Sequence, residues 1–269
     1  ARIFEILASW HISLAVEAGA VKEWDCTAQK AAVQTVATMR NVATAGGTIE
    51  RIAMDEPLSS GAGPCRLSIT DTAARTASYA RSVLAQQPHA ESNRSVRIGD
   101  IEPYPSFSVH DLKNWISALA ADGVVLDFLH LDINVHYVNV HSQTRLGEDL
   151  AEIQSFLKSS NIPFGIIFWS GYDPLNSDKM YYDDTMDLVR NVHDAIGRPD
   201  QIIFQSWVTR SPMSCAASTP ACAKASCAKS DPAYCGDKSI PLNVPDDDPT
   251  KFTHTRLVRD GLATLEEAR

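Results

Sequence analysis

The stretch IERIAMDEP, residues 49–57, decides the fold. It runs from a strand-like apolar pattern into two acids and then a proline, which cannot continue a ladder. Before it, a helical pattern over about Ala28–Ala45 closes on Gly46-Gly47, a C-cap signal. After it, Ala73, Ala77, Ala80 and Leu84 recur at helical spacing, with Asp71 as the expected cap. The same unit of strand, polar or aromatic end and helix recurs along the chain. Its strands are ISLAVEAGA (12–20), VRIGDIEP (96–103), LDFLHLDIN (126–134), FGIIFWSGYD (164–173) and QIIFQSWV (201–208). Strands alternating with amphipathic helices build a parallel sheet covered by helices. The expected fold is therefore α/β, a TIM-type (β/α) barrel forming one domain over residues 1–269. Six strand–helix units are visible, and the first two of eight are expected to be absent from this chain. An open, doubly wound sheet is the alternative. It concentrates polar residues at one switch point, whereas here they recur at every strand end.

The remaining helices are read from caps and stripes. Arg2–Ser9 reads as a helix ahead of the first strand. Ser108 with Asp111 resembles a capping box, and Leu112, Trp115 and Leu119 form the stripe behind it. Leu146, Leu150, Ile153 and Leu157 share a face of the next helix. Further helices are expected over about Met186–Ile196 and Thr253–Glu267.

Lys and Arg total 24 against 33 Asp and Glu, a net charge of −9 with no basic run. That argues against a phosphate-backbone partner, which needs Lys/Arg neutralisation, so no nucleic acid is expected. No stretch approaches the ~20 apolar residues of a membrane span. The opening ARIFEILASWH has neither a leader's apolar core nor an initiator Met, and reads as a processed or trimmed start. Six cysteines are present, and four of them (Cys215, Cys222, Cys227 and Cys235) crowd into a loop insertion at about 211–245. Crosslinks would order a segment so poor in apolar residues. Cys26 and Cys65 come after neighbouring strand ends and are able to pair. An even count points to disulfides and an extracellular or periplasmic, secreted setting. A zinc site is the rival, although the cluster lacks C-x-x-C spacing.

Barrels of this type carry their chemistry at the carboxyl ends of the strands. Alternation along each strand gives expected inward sets: Ala15 and Glu17; Ile52, Met54 and Glu56; Ile98, Asp100 and Glu102; His130, Asp132 and Asn134; Gln205 and Trp207. Four strands then aim an acid at one mouth. Each residue also has a plainer reading. A strand-end acid is commonly a helix cap, and Asp55, facing away from Glu56, fits that role. His130 can simply hold a neighbouring acid. Tyr104, Trp169, Tyr172 and Trp207 serve equally as sugar platforms or as packing.

The segment IAMDEPL (52–58) resembles the strand-four motif Asn-Glu-Pro of the large glycoside hydrolase superfamily with (β/α)₈ barrels. The resemblance implies that Glu56 is the general acid/base, with Asp55 where the family has Asn. The family also has a nucleophilic Glu at the end of strand seven. Here Phe168-Trp169-Ser170-Gly171-Tyr172-Asp173 stands there, without a Glu. Glycoside hydrolysis needs two carboxyl groups, and Glu102 is the expected second, with Asp132 and Asp173 next in rank. Glu17, Asp55, Asp100, Tyr104, His130, Asp132, Trp169, Tyr172 and Trp207 are the expected substrate-binding residues.

The expected function is hydrolysis of glycosidic bonds in a poly- or oligosaccharide without a cofactor. One alternative is a divalent-metal sugar isomerase or hydrolase using Glu17, Glu56, Asp100, Glu102, His130 and Asp132 as ligands. Another is a non-catalytic carbohydrate-binding barrel. The chain carries no G-x-G-x-x-G, G-x-x-x-x-G-K-[ST] or G-x-S-x-G motif, which leaves nucleotide cofactors and the serine-esterase elbow without support.

Overall fold

The computed structural model describes residues 2–86, 96–140, 145–170, 178–205 and 253–266. Among them are six strands: β1 (Leu14–Ala18), β2 (Ile49–Asp55), β3 (Arg97–Tyr104), β4 (Leu129–Ile133), β5 (Phe164–Phe168) and β6 (Gln201–Phe204). They form one sheet in the order β1-β2-β3-β4-β5-β6, and the register is parallel from β1 through β5. Each strand therefore lies beside its sequence neighbour and the order never reverses. A doubly wound sheet must reverse at its switch point, so that alternative is excluded. Strands wound in one direction with helical crossovers have the connectivity of a TIM-type barrel.

The helices are α1 (Arg2–Ser9), α2 (Gln29–Thr44), α3 (Pro57–Ala62), α4 (Ile69–Ala85), α5 (Val109–Ala121), α6 (Val135–Val140), α7 (Leu146–Ser159), α8 (Asp178–Ile196) and α9 (Thr253–Glu266). Two short ones, α3 and α6, are not visible in the apolar pattern, because six residues hold less than two turns of it. The cap of α5 is as expected: Ser108 Oγ accepts the Asp111 amide at 3.1 Å and donates to its carboxylate at 2.6 Å. The cap of α4 is Ser68 rather than Asp71. The Asp71 amide donates to Ser68 Oγ at 3.0 Å, which puts the aspartate inside the first turn, where its carboxylate accepts the Ser68 hydroxyl at 2.7 Å. Among the described residues, no helix is long and apolar enough to cross a membrane.

The chain divides into two compact units. The first holds Ala1–Ile133, Glu148–Ile167 and Pro199–Ile203, and so nearly the whole sheet. Its core is formed by Ile52, Met54, Leu58, Leu129, Leu131, Phe164 and Ile166 with Tyr79, Leu112, Trp115 and Leu119, all buried. The second holds Asn134–Gly147, Phe168–Arg198 and Phe204–Arg269. There α8 and α9 pack together, the Tyr182 hydroxyl donates to Asp260 at 2.5 Å, and Phe168 stacks on Phe204. The cysteine-rich loop expected at 211–245, with its four cysteines, lies outside the described residues, as do Tyr172, Asp173 and Trp207.

Candidate functional site

Partners in a parallel register lie on the same side of the sheet, so the pairing sorts every strand-end residue by face. Met54 pairs with Asp100, Asp100 with Leu129, and Glu102 with Leu131. This face lies under the helices: the Trp115 indole of α5 donates to Asp100 Oδ2 at 2.7 Å. Glu17 pairs with Ala53, Asp55 with Ile101, Ile101 with His130, and Pro103 with Asp132 on the other face. The expected inward sets are therefore corrected on two strands. Asp100 and Glu102 of β3 point into the helix layer with Ile52 and Met54 of β2, while Glu17, Asp55, His130 and Asp132 share the opposite face. The six donors of the metal alternative are split between the two faces. No group of three or more metal-ligating side chains is placed to hold one metal ion among the described residues.

Under the helices the acids are consumed by structure. Glu102 is fully buried; its Oε1 accepts the Leu58 amide at 2.7 Å and its Oε2 the Ser59 amide at 3.2 Å. Both oxygens of the expected second catalytic carboxylate are thus held by the backbone of α3. Asp100 is also fully buried, and burial pushes its pKa up to about 8, against the hydrogen bond from Trp115. The Ile101 amide opposes that rise as well, and burial outweighs both donors, an environment that disfavours charge. Glu102 is raised as well, first by burial and then by Asp100, with the two amides opposing. Tyr104 lies on the same face, 2% exposed, and its hydroxyl donates to Asp149 of α7 at 2.8 Å. It packs the helix layer and offers no free ring to a ligand, a correction to its expected platform role.

At the ends of β1 and β2, Glu17, Asp55 and Glu56 are near enough for their charges to interact. Glu17 is exposed, and its carboxyl is pushed up by partial desolvation and by Asp55, with Lys22 opposing. Asp55 makes an ion pair with Lys22 Nζ at 2.5 Å. Glu56 comes next, in the left-handed region (φ 50°, ψ 48°), which costs a non-glycine residue on the order of 1–3 kcal/mol. Its carboxyl has no hydrogen-bond partner among the described residues. Burial raises its pKa first, and then Asp55, with Glu17 and Glu23 adding to this and Lys22 opposing.

Lys22 is the neighbour of these acids that the strand pattern does not reveal. It sits in the loop after β1, where Cys26 and Cys65 form the expected disulfide. Asp25 holds that loop to α2: its carboxylate accepts from the Thr27 hydroxyl at 2.7 Å and the Ala31 amide at 3.0 Å. Burial opposes the charge on Asp25, but these donors outweigh it and its pKa is lowered. Arg75 adds a bond to the Cys26 carbonyl at 2.7 Å. The only sequence signal for Lys22 is its place between Glu17 and Cys26.

His130 is 8% exposed and stacks on Phe128 at 4.5 Å, and its Nε2 is hydrogen-bonded to Gln201 Oε1 at 2.7 Å. A Cβ at Gly165 would lie 2.4 Å from its ring, so glycine is what admits the imidazole. Burial lowers its pKa and keeps it neutral. The expected support of a neighbouring acid becomes a bond to an amide. Asp132 is 7% exposed on the same face. Trp169, in the second unit, has an indole nitrogen buried without a hydrogen-bond partner among the described residues.

No family model and no curated protein matches this chain. Among solved structures it is similar to a fungal β-1,4-galactanase (11% identity, 76% of this chain and 70% of that one, TM-score 0.48). It is also similar to a glucosidase from Croceicoccus marinus (12% identity, 75% and 43%, TM-score 0.47). A third is the GH53 catalytic domain of Ignisphaera aggregans (11% identity, 76% and 66%, TM-score 0.47). The chain spans less than two thirds of the length of the second and third.

Proposed function

We propose that this chain is part of a (β/α)₈-type barrel that hydrolyses glycosidic bonds, with Glu56 as the general acid. One observation carries the reading. Asp55 pairs with Lys22 at 2.5 Å, Glu17 and Glu56 both feel the charges of that pair, and Glu56, on the strained turn, has no hydrogen-bond partner among the described residues. A general acid must keep its proton near neutral pH, and burial together with Asp55 pushes Glu56 that way. The second carboxyl in this reading is Glu17, on the neighbouring strand and electrostatically coupled to Glu56, in place of Glu102. Asp55 is already engaged by Lys22. Glu56 would donate its proton to the leaving glycosidic oxygen while Glu17 attacks the sugar carbon or activates a water.

The test is reducing-sugar release from a panel of poly- and oligosaccharides by wild type, Glu56→Gln, Glu17→Gln and an EDTA-treated sample. Loss of about 10²–10⁴-fold in each variant is expected, with EDTA without effect. Turnover that survives Glu56→Gln, or that EDTA abolishes, would overturn the assignment.

A further inference from the structure

We propose that Glu102 is a positioning residue that holds Glu56 in its productive backbone conformation; this rests on Glu56 being the acid of the site. The turn after β2 has few donors, and β3 takes all of them. The Glu56 amide donates to Ile101 O at 3.0 Å, residue 57 is a proline with no N–H, and the Leu58 and Ser59 amides go to the two oxygens of Glu102. Two consecutive residues of one strand thus clamp the turn on both sides of Glu56. That residue occupies a left-handed conformation its side chain disfavours, so something must enforce it. A fully buried carboxyl is a costly way merely to complete a six-residue helix, since a polar group taken out of water is offset only by the hydrogen bonds it makes. Its geometry is justified if the position of Glu56 depends on it.

The groups that face Glu56 are Glu17, Lys22, Glu23 and Asp55, with Asp100 and Glu102 of β3 behind the turn. A position lost at the turn moves Glu56 away from Asp55 and Glu17 and into water, and its titration falls back toward the ordinary carboxylate range. The experiment tracks the Glu56 carboxyl by NMR titration in wild type, Glu102→Gln and Glu102→Asp, with amide exchange at Leu58 and Ser59 and thermal unfolding alongside. Glu102→Asp keeps the carboxyl but loses the reach, which separates its position from its chemistry. Both variants are expected to speed exchange at the two amides by at least about tenfold and to lower the Glu56 midpoint. A purely capping Glu102 would lower the melting temperature and leave that midpoint in place, and this outcome overturns the proposal. Should neither variant fold, wild-type exchange still decides: the clamp requires core-like protection at Leu58 and Ser59, and loop-like rates refute it. None of these readouts needs turnover. A midpoint that moves in a protein with no glycan activity would keep the clamp and discard the hydrolase reading.

Discussion

Glu102 and Glu56 are the same residue type at the ends of adjacent strands, each preceding a proline, yet one is fully buried and bonded twice while the other is half-buried and has no hydrogen-bond partner among the described residues. Register separates them. On β3, strand parity turns Asp100 and Glu102 under the helices. On β2, the strand ends at Asp55, and the left-handed backbone at Glu56 swings the chain out of that parity. A row of strand-end acids is therefore no evidence of a shared mouth until the pairing of the strands is known. The helix-covered side uses carboxylates as hydrogen-bond acceptors for an indole and for amides, and the open side leaves them to one another and to Lys22.

The sharpest way to break this contrast is on the covered side. Trp115→Ala removes a fully buried indole and the donor to Asp100, and should cost about 3–5 kcal/mol of stability in urea unfolding. A loss below about 1 kcal/mol would mean that the covered acids are not structural. Asp100→Asn probes the same side through pH. The folded protein holds a proton on Asp100 up to about pH 8, whereas an unfolded aspartate releases it near 3.8. The folded state therefore binds more protons between those values, and stability falls as pH rises through that window and stays low above it. Asp100→Asn should flatten this slope and gain on wild type by roughly 1–3 kcal/mol at pH 8. A slope that does not change would show that Asp100 is ionised in the fold. On the open side the effect is smallest. Lys22→Met should cost less than about 1 kcal/mol, as partly exposed ion pairs do. It should nevertheless raise the midpoints of Glu17 and Glu56, both of which Lys22 now lowers. Midpoints that stay put in a carboxyl NMR titration would remove Lys22 from the site.

Much of the fold was legible because its signals are local. Gly46-Gly47 after α2 and the Ser108 cap of α5 need no knowledge of the partner strand. The facing of the acids was not legible, and the reason is physical. Buried strands of a parallel sheet are apolar on both faces, so IERIAM gives no sign of which face meets the helices. Polarity was then the only guide, and it misleads where a buried acid is satisfied by an indole or by backbone amides, as Asp100 and Glu102 are. Lys22 was illegible for another reason. Its reach to Asp55 depends on a loop path set by Asp25 and by the disulfide, and no periodicity reports either.

Gly99 lies on the face of β3 away from Trp115 and α5, and a Cβ there would stand 2.3 Å from the ring of Phe128. A one-residue slip of β3 against β4 would bring Ile98 or Asp100 to that ring and turn every side chain of the strand over. The glycine therefore works as a proofreading mark for strand pairing. The misaligned sheet, which would take Glu102 from the Leu58 and Ser59 amides and put Pro103 in its place, meets a steric error before its chemistry can be scrambled.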